Sequence, residues 1–325
     1  MTNYLITGAT GLIGSSLIKN IIETQDYKTG NVKIVAVARN IAKYNDIFQG
    51  YDCHNIVFLP MDICSADAVT AIDEPIDYII HCAASTASAY MISNPVEVAD
   101  GIVLGTRNVL ELAKAKKVKS MVYISSMEVY GTVEDIGRPR MEDELGSISL
   151  YSSRSCYPLA KRMAEHYCYI YGKEYGVPVK IARLAQTFGK GVRPEDNRVY
   201  MQFAKAAYEQ RDIVLKTAGN SMGNYCSVDD AVTAIFTILH KGEIGEVYNV
   251  VNEDNTMSIR GMAELVADRV ASGSIKVRIE QEDSSKTGYA PDTGLRLSGK
   301  KSRDLGWMPT KSLIQMYEDL LEELV

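Results

Sequence analysis

The chain has 325 residues, of which 46% are hydrophobic and 23% charged, and its formal net charge is −6. This composition excludes disordered, collagen-like and disulfide-dense proteins and predicts a globular chain of about two domains. A mildly acidic chain without a run of Lys or Arg is a poor candidate for binding nucleic acid or an anionic membrane, and no apolar run reaches the roughly 18 residues that would span one.

The six cysteines predict neither a metal site nor a disulfide framework. They form no C-x-x-C pair and no Cys/His cluster with zinc spacing. Reduced thiols are typical of a cytoplasmic protein, and the first residues lack the basic region of a signal peptide. We therefore expect a cytoplasmic location.

Short β-branched runs alternate with amphipathic segments through the first half of the chain. This alternation indicates βαβ units, so we predict an α/β protein with a Rossmann-type, doubly wound parallel sheet. The predicted strands cover residues 4–7, 32–38, 56–61, 78–82, 120–125 and 179–184, and the predicted helices cover residues 12–24, 95–116 and 161–175.

Beyond about residue 185, Gly, Pro, Asn and Asp become denser and the alternation weakens. We assign residues 1–185 to a dinucleotide-binding domain and residues 186–325 to a smaller C-terminal substrate-binding domain, with about 227–252 returning to the first. The elements predicted in this half are helices at 199–209, 259–270 and 313–324 and a strand at 247–251.

A glycine-rich turn lies between the first predicted strand and the first predicted helix. Gly8, Gly11 and Gly14 form the pattern G-x-x-G-x-x-G. The first glycine permits a tight turn, the second lets backbone N–H groups approach a pyrophosphate, and the third lets the helix pack closely on the sheet. This context predicts a dinucleotide site. The other loop residues assigned to the cofactor are Thr10, Leu12 and Ile13.

The end of the second predicted strand bears on which dinucleotide binds. A carboxylate there would accept hydrogen bonds from the ribose of NAD, but Arg39 has only donors. Arg39 can pair with a 2′-phosphate instead, so we predict NADP in preference to NAD, with Lys43 assisting and Asn40 lining the site. Asp62 and its neighbour Ile63 follow the third strand. Asp62 is a candidate acceptor for the adenine amino group, with a helix N-cap as its alternative role.

Two short segments carry the predicted chemistry. Tyr157 and Lys161 are four residues apart, so on a helix they share a face, and a nearby ammonium is expected to lower the pKa of the phenol. Tyr157 would then exchange a proton with a substrate hydroxyl or carbonyl near neutral pH. The Ser126 hydroxyl can hold the same oxygen, and the nicotinamide takes or gives the hydride.

These motifs resemble those of the extended short-chain dehydrogenases/reductases of the NAD-dependent epimerase/dehydratase type. That group includes UDP-galactose 4-epimerase and the sugar-nucleotide dehydratases. The resemblance covers nearly the whole chain. Its further segments are His81-Cys82-Ala83-Ala84, Gly105-Thr106-Arg107-Asn108, Arg183-Leu184-Ala185-Gln186 and Leu305-Gly306-Trp307-Met308-Pro309.

The resemblance implies roles for individual residues. Ser126, Tyr157 and Lys161 match the catalytic triad of the family. Asn108 matches a structural position. The residues implied to line the cofactor after the fourth strand are Ala83, Ala84 and Ser85, of which Ser85 also faces the substrate together with Ser126.

The residues after Ser126 distinguish members of the family. Met127 stands where many sugar dehydratases have a proton donor, which disfavours their elimination step. Glu128 can deprotonate a carbon beside a transient ketone, and its alternative role is a solvated or capping residue. Residues 196–200 resemble a stretch of the UDP-glucuronate decarboxylases that lies beside the nucleotide. We therefore expect Met127 and that stretch to contact the substrate, the latter through Asn197, Arg198 and Val199.

Three positions depart from the family pattern. Gly223 stands where the family has an Arg that holds the diphosphate, the segment 285–292 lacks another Arg of the family, and Gln186, which we expect to contact the substrate, stands where the family has an Asn. Bidentate Arg contacts to phosphate are hard to replace. Either Lys286, Arg296 or Arg198 takes over this contact, or the substrate is not a usual nucleotide diphosphate-sugar.

Three functions follow from these patterns. The leading one is an NAD(P)-dependent enzyme that alters a nucleotide-linked sugar by epimerisation, dehydration, decarboxylation or keto reduction. The second is an NADPH-dependent reductase of a small ketone or aldehyde, which suits Arg39 and the missing phosphate Arg. The third is a non-catalytic dinucleotide-binding regulator, although such relatives typically lose Tyr157 or Lys161.

The resemblance also implies a homodimer. In a family-like dimer the helices at 95–116 and 161–175 would pair across a two-fold axis and form a four-helix bundle. The alternative is that the same apolar surface packs inside the monomer. The residues assigned to this surface are Tyr167, Cys168, Ile170 and Tyr171.

Overall fold

A computed structural model describes residues 1–280 and 293–324 of the chain. The strands among these residues are β1 (Thr2–Thr7), β2 (Val32–Ala38), β3 (Ile56–Pro60), β4 (Tyr78–His81), β5 (Ser120–Ser126), β6 (Val179–Leu184), β7 (Gln186–Phe188), β8 (Ile213–Leu215), β9 (Met222–Ser227), β10 (Val247–Val250), β11 (Asn252–Ser258) and β12 (Val277–Ile279).

The helices of the same residues lie mostly between these strands. They are α1 (Leu12–Ile22), α2 (Gln25–Lys28), α3 (Ile41–Ile47), α4 (Ala66–Thr70), α5 (Ser88–Ser93), α6 (Pro95–Lys116), α7 (Cys156–Tyr175), α8 (Val199–Tyr208), α9 (Val228–Lys241), α10 (Ile259–Leu265), α11 (Lys300–Asp304) and α12 (Leu313–Glu322). None of these helices combines the length and the apolarity that crossing a membrane requires.

Seven parallel strands form the main sheet in the order β10-β6-β5-β4-β1-β2-β3. The strand order reverses between β1 and β4, because the chain builds outward from β1 in one direction and from β4 in the other. Open α/β sheets bind ligands at the carboxyl ends of the strands beside such a reversal. The predicted doubly wound parallel sheet is confirmed, and its topology locates the site.

Two apolar cores cover the two faces of this sheet. Side chains alternate along a strand, so Ile6 of β1 packs with α1 and α9 on one face while Leu5 packs with α6 and α7 on the other. Strands that are buried on both faces read as continuous apolar runs, which is why β2 and β6 could be predicted from sequence. Residues 228–250 supply α9 and β10 to this layer, since β10 pairs with β6.

Helix α7 begins earlier than the periodicity predicts. It starts at Cys156 rather than at residue 161, and Pro158 lies in its first turn. A proline is tolerated there because the first N–H groups of a helix have no intrahelical acceptor. Gly176, at φ +69°, ends the helix. The early start places Tyr157 on the helix itself.

Much of the predicted interface surface lies inside the monomer. Cys168 and Tyr171 are buried in the core between α6, α7 and the sheet, and Tyr167 and Ile170 pack against that core. The prediction that Cys168 and Tyr171 form an exposed apolar face is therefore wrong. Other side chains on α6 and α7 are exposed, namely Leu104, Met163, Tyr169 and Tyr175.

The second half of the chain adds two small sheets, β11-β9-β7 and β12-β8. They surround a third core in which the rings of Phe188 and Tyr200 stack with centroids 4.4 Å apart. The helix predicted over 259–270 divides into α10 and a π-helical turn, Val266–Val270. None of the strands in these two sheets was predicted; three of them, β7, β8 and β12, have only three residues each and carry no readable periodicity.

Candidate active site

The glycine loop between β1 and α1 has the geometry of a phosphate-binding turn. Gly8 has φ +69°, and a Cβ there would lie 2.9 Å from the backbone of Ala83, at the end of β4. A Cβ at Gly14 would lie 2.3 Å from the carbonyl oxygen of Gly8, so α1 packs directly on the loop. The first N–H groups of α1, from Leu12 onward, have no intrahelical acceptors. The loop therefore fits the pyrophosphate of a dinucleotide.

Cationic residues follow the carboxyl end of β2, the strand beside β1 and its glycine loop. Arg39 is exposed, and its 3.8 Å contact with the exposed carboxylate of Glu97 stabilises little. The Asn40 side chain caps α3 by accepting a hydrogen bond from the Lys43 N–H at 2.9 Å. Burial and the positive charge of Arg193 lower the pKa of Lys43. Arg39 and Lys43 thus follow β2 as predicted, whereas Asn40 has a capping role.

Asp62 does not cap the helix that follows it. Ser65 is the N-cap of α4, and the Asp62 carboxylate instead accepts a hydrogen bond from the Cys64 N–H at 3.0 Å. The alternative role assigned to Asp62 is therefore wrong. Asn108 donates to the carbonyl oxygens of Ile63 and Cys64 at 2.9 and 3.0 Å, which is the structural role implied by the resemblance.

The structure brings Ser126, Tyr157 and Lys161 together at the carboxyl end of β5. The Ser126 side chain accepts a hydrogen bond from the Glu128 N–H at 3.2 Å, and it lies near enough to the Tyr157 phenol to favour a lower pKa there. Tyr157 is 5% exposed and Lys161 3% exposed. The Lys161 ammonium donates to the carbonyl oxygen of Ile124 at 2.7 Å and lies 5.8 Å from the centroid of the Tyr157 ring. Two elements, β5 and the first turns of α7, thus position the three side chains.

Burial dominates the proton affinity of Tyr157. It raises the pKa of the phenol well above its ordinary value, and the negative charge of Glu128 raises it further. The nearby Ser126 hydroxyl and the charges of Arg154 and Arg198 oppose this rise without reversing it. Tyr157 therefore holds its proton at neutral pH and can donate it to an oxygen on which negative charge develops.

Burial raises the pKa of Tyr157, so the predicted lowering is wrong despite the proximity of Lys161. Its ammonium is turned toward the carbonyl of Ile124 and lies 4.7 Å from the ring centroid of Tyr123. Burial lowers the pKa of Lys161 to about 8. The spacing of four residues correctly placed the two side chains on one helix face, but it carried no information about how deeply both would be buried.

Glu128 lies in the site and forms an ion pair. Its carboxylate accepts from Arg154 Nη2 at 2.8 Å, and both side chains are about one-third exposed. The Arg154 guanidinium lies 6.0 Å from the Tyr157 ring centroid. Arg154 was not predicted, because it lies in a 3-10 turn before α7, outside the helical spacing. Met127, beside Glu128, packs half-buried against the core.

Arg198 approaches Tyr157 from the second half of the chain. Its guanidinium pairs with the Asp196 carboxylate and lies 4.9 Å from the ring centroid of Tyr200. Its positive charge favours a lower pKa of Tyr157, so this predicted residue lies within electrostatic range of that phenol. Lys286 lies outside the described residues. Of the remaining predicted substrate residues, Gln186, Asn197 and Val199 are exposed and Ser85 is half-buried.

Steric contact with Tyr225 explains why position 223 is a glycine. A Cβ there would lie 2.1 Å from the phenol oxygen of Tyr225, whose buried ring packs edge-on against Phe188. Tyr225 therefore fills the space in which an arginine side chain at position 223 would begin. Arg296, one of the predicted replacements, makes a 3.4 Å ion pair with Asp135.

A buried ion pair joins the elements beneath the site. Glu165 of α7 accepts from Arg183 of β6 at 2.9 and 2.7 Å and from the Ser125 hydroxyl of β5 at 2.5 Å. The Arg183 guanidinium also donates to the carbonyl oxygen of Glu142 at 2.6 Å. Paired charges with satisfied hydrogen bonds hold fixed geometry, and this set locks α7 to β5 and β6.

Comparison with known proteins identifies relatives over most of the chain. The model of the NAD dependent epimerase/dehydratase family matches residues 4–251. The dTDP-D-glucose 4,6-dehydratase of Dictyostelium discoideum is 30% identical over 76% of this chain, which spans only 57% of that relative's length. The UDP-glucuronic acid decarboxylase 1 of Danio rerio is 28% identical to this chain. The alignment covers 95% of this chain and 69% of the decarboxylase's length.

Solved structures of similar fold align along the chain's whole length. The UDP-glucose 4-epimerase of Thermotoga maritima, crystallised with UDP-glucose, superimposes with a TM-score of 0.82 at 22% identity, covering 99% of this chain and 98% of its own. The dTDP-glucose 4,6-dehydratase of Bacillus anthracis, in complex with NAD, superimposes with a TM-score of 0.79 at 23% identity. This alignment covers 99% of our chain and 96% of the dehydratase chain. These likenesses confirm the fold.

Proposed function

Since the chain belongs to the NAD dependent epimerase/dehydratase family, we propose that it is a dinucleotide-dependent enzyme that oxidises a carbon of a nucleotide-linked sugar. Ser126, Tyr157 and Lys161 are its catalytic residues in this proposal. The observation that carries it is the buried Tyr157 phenol, which lies with Ser126 and the buried Lys161 at the carboxyl end of β5, the strand next to β4. The relatives named above act on dTDP-glucose and UDP-glucuronic acid, which supports a nucleotide-linked substrate.

Each residue has a defined task at the reacting oxygen. The glycine loop would hold a dinucleotide, which would supply the acceptor or donor of a hydride. When a keto group is reduced, Tyr157 donates its phenol proton to the substrate oxygen, which Ser126 orients. When the alcohol is oxidised, the phenolate of Tyr157 must take the hydroxyl proton as the hydride leaves the carbon. The Lys161 ammonium, held by its hydrogen bond to the Ile124 carbonyl oxygen, provides positive charge near Tyr157. Glu128, held by Arg154, is placed to deprotonate a carbon beside the transient ketone.

The preferred cofactor in this proposal is NADP. Arg39 offers only donors at the end of β2, its contact with Glu97 is long and exposed, and Lys43 lies one helical turn further along the chain. A 2′-phosphate would give both cations a partner, whereas the ribose of NAD gains no acceptor from Arg39.

A second candidate function is the NADPH-dependent reduction of a small ketone or aldehyde. The observation in its favour is the close contact between Gly223 and Tyr225, which leaves no room for a phosphate-binding arginine on β9. A substrate without a diphosphate would not need that residue.

Thermal melting with saturating NADP⁺ and a panel of UDP, dTDP, GDP, CDP and ADP separates the two candidates. A ligand at about 100 times its dissociation constant adds roughly 2.7 kcal/mol to native stability. A rise in melting temperature with one nucleotide supports the nucleotide-sugar enzyme and identifies the nucleotide. A response to NADP⁺ alone contradicts it and favours the small-carbonyl reductase.

We further propose a cytoplasmic homodimer assembled through α6 and α7. The six cysteines are unpaired, which fits a reducing compartment. The two helices pack side by side and expose Leu104 and Met163. A second copy would cover these side chains.

A further inference from the structure

The segment 189–198 connects the second half of the chain to the cofactor side of the first. It leaves β7 with Gly189 and lies against α1, because a Cβ at Gly191 would contact Leu12 Cδ1 at 3.7 Å and Ser16 Oγ at 4.0 Å. The buried Val192 follows. The chain thus crosses directly above the first turns of α1, next to the glycine loop.

Arg193 extends from this segment to α3. Its Nη2 lies 3.1 Å from Asp46 Oδ2, one turn along the helix from Lys43. Its positive charge is also felt at Lys43. Arg193 is therefore held near the residues that follow β2, although about 150 residues separate it from them in the sequence.

Two cations, Lys43 and Arg193, therefore lie near each other at α3, and Arg39 precedes the same helix in the chain. The carboxylates near them are weak partners, since Asp46 is exposed and Glu97 lies 3.8 Å from Arg39. Like charges placed together repel, and an anion among them relieves the repulsion. A phosphate monoester is the matching group, because guanidinium groups bind its oxygens in pairs.

We propose that Arg193 is a specificity residue for the 2′-phosphate of NADP, reaching it from the segment 189–198. This inference rests on the NADP preference proposed above. Arg39 and Lys43 supply the local part of the phosphate site. Arg193 supplies a third cation from the second half of the chain and holds that segment over the adenosine end of the dinucleotide.

Calorimetric titration of the full chain with 2′,5′-ADP and with 5′-ADP tests this role without any sugar substrate. Arg193→Ala should weaken 2′,5′-ADP binding about tenfold and leave 5′-ADP within about twofold, because the two ligands differ only in the 2′-phosphate. Asp46→Asn should strengthen 2′,5′-ADP binding, because it frees Arg193 from its carboxylate. Arg211→Ala is the matched control, since Arg211 is another exposed arginine paired with a carboxylate, that of Glu209. It should change neither affinity.

The outcomes separate the role of Arg193 from the proposed NADP-dependent function on which it rests. If Arg193→Ala binds 2′,5′-ADP like the unchanged chain while Arg39→Ala loses it, the NADP site stands and the role of Arg193 is overturned. An equal loss of both ligands in Arg193→Ala also overturns it, because the residue would then only support the segment. If the unchanged chain binds neither NADPH nor NADH, the proposed function itself fails.

Discussion

Burial, more than the distance between them, sets the proton affinities of Lys161 and Tyr157. The native site lowers the pKa of Lys161 from its ordinary 10.5 to about 8. This shift corresponds to a cost of about 3 kcal/mol for keeping the ammonium charged in the folded protein. The cost is fully present below pH 8, and it is relieved between pH 8 and 10.5, where the unfolded chain binds the extra proton.

Replacing Lys161 by Met should therefore stabilise the fold and abolish catalysis. We expect Lys161→Met to raise the free energy of unfolding at pH 7 by up to about 3 kcal/mol. This gain should shrink as the pH rises from 8 toward 10.5, because the unchanged protein then loses its buried charge. Urea denaturation at pH 7 and pH 10 measures both effects.

Lys180→Met provides the matched control for this prediction. Lys180 is also buried, its pKa is also lowered by burial, and its ammonium donates to the Ser120 hydroxyl at 2.6 Å, at the amino end of β5. It should change stability in the same direction and leave dinucleotide binding unaltered. A Lys161→Met variant that is less stable at pH 7, with no dependence on pH, would show that the native site favours the charge.

At this scale the sequence predicts residues whose roles depend on local spacing. Ser126, Tyr157 and Lys161 follow a strand or share a helix turn, so their proximity could be inferred. Arg193 could not be predicted, because a long loop brings it to α3. The reason for a glycine at position 223 could not be predicted either, because it depends on where the Tyr225 ring packs.

The element that most directly shapes the cofactor site is α1, whose first turn rests on the glycine loop. We expect Gly14→Ala to weaken NADPH binding at least tenfold. The new methyl group would lie 2.3 Å from the Gly8 carbonyl oxygen, which forces the helix away from the loop. Overpacking of this kind also costs about 1–3 kcal/mol of stability. Titration of NADPH fluorescence measures the affinity.

Gly101→Ala is the control for this change. Gly101 lies within α6, and a Cβ there meets no atom within 4 Å. The substitution should leave NADPH binding unaltered and, because alanine favours helices, add about 0.5–1 kcal/mol of stability. Equal NADPH affinities in the two alanine variants would refute the proposed contact between loop and helix.

Element boundaries could be predicted where long periodic segments or fully buried strands exist. Helix α6 and strands β2 and β6 have the predicted limits. Helix α9 was missed although it is apolar on one face, because the change in composition after residue 185 concealed it. The three-residue strands of the second half depend on pairing partners that are distant in sequence.

For the whole molecule, the proposed dimer requires that the α6–α7 face be the surface through which copies associate. Met163 is 41% exposed on α7, whereas Met308 is 62% exposed on a loop before α12. We expect the unchanged chain to sediment as a dimer, and Met163→Glu to sediment as a monomer because it places a charge in the interface. Met308→Glu should remain a dimer.

Analytical ultracentrifugation distinguishes these states. A monomeric unchanged chain would contradict the dimer proposal. So would dissociation by both glutamate variants, because the effect would then not depend on the α6–α7 face.

The most direct test of the proposed function is to incubate the protein with a panel of UDP-, dTDP-, GDP- and CDP-sugars, with NAD⁺ and with NADP⁺, and to analyse products by chromatography and mass spectrometry. We predict that one nucleotide-sugar is converted and that Tyr157→Phe slows the conversion by about 10²–10⁴-fold, the contribution of a positioned proton donor. Tyr171→Phe, which loses a hydroxyl bonded to Glu111 elsewhere on α7, should keep the full rate. Conversion by Tyr157→Phe at the unchanged rate, or no conversion by a protein that binds the dinucleotide, would contradict the proposed function.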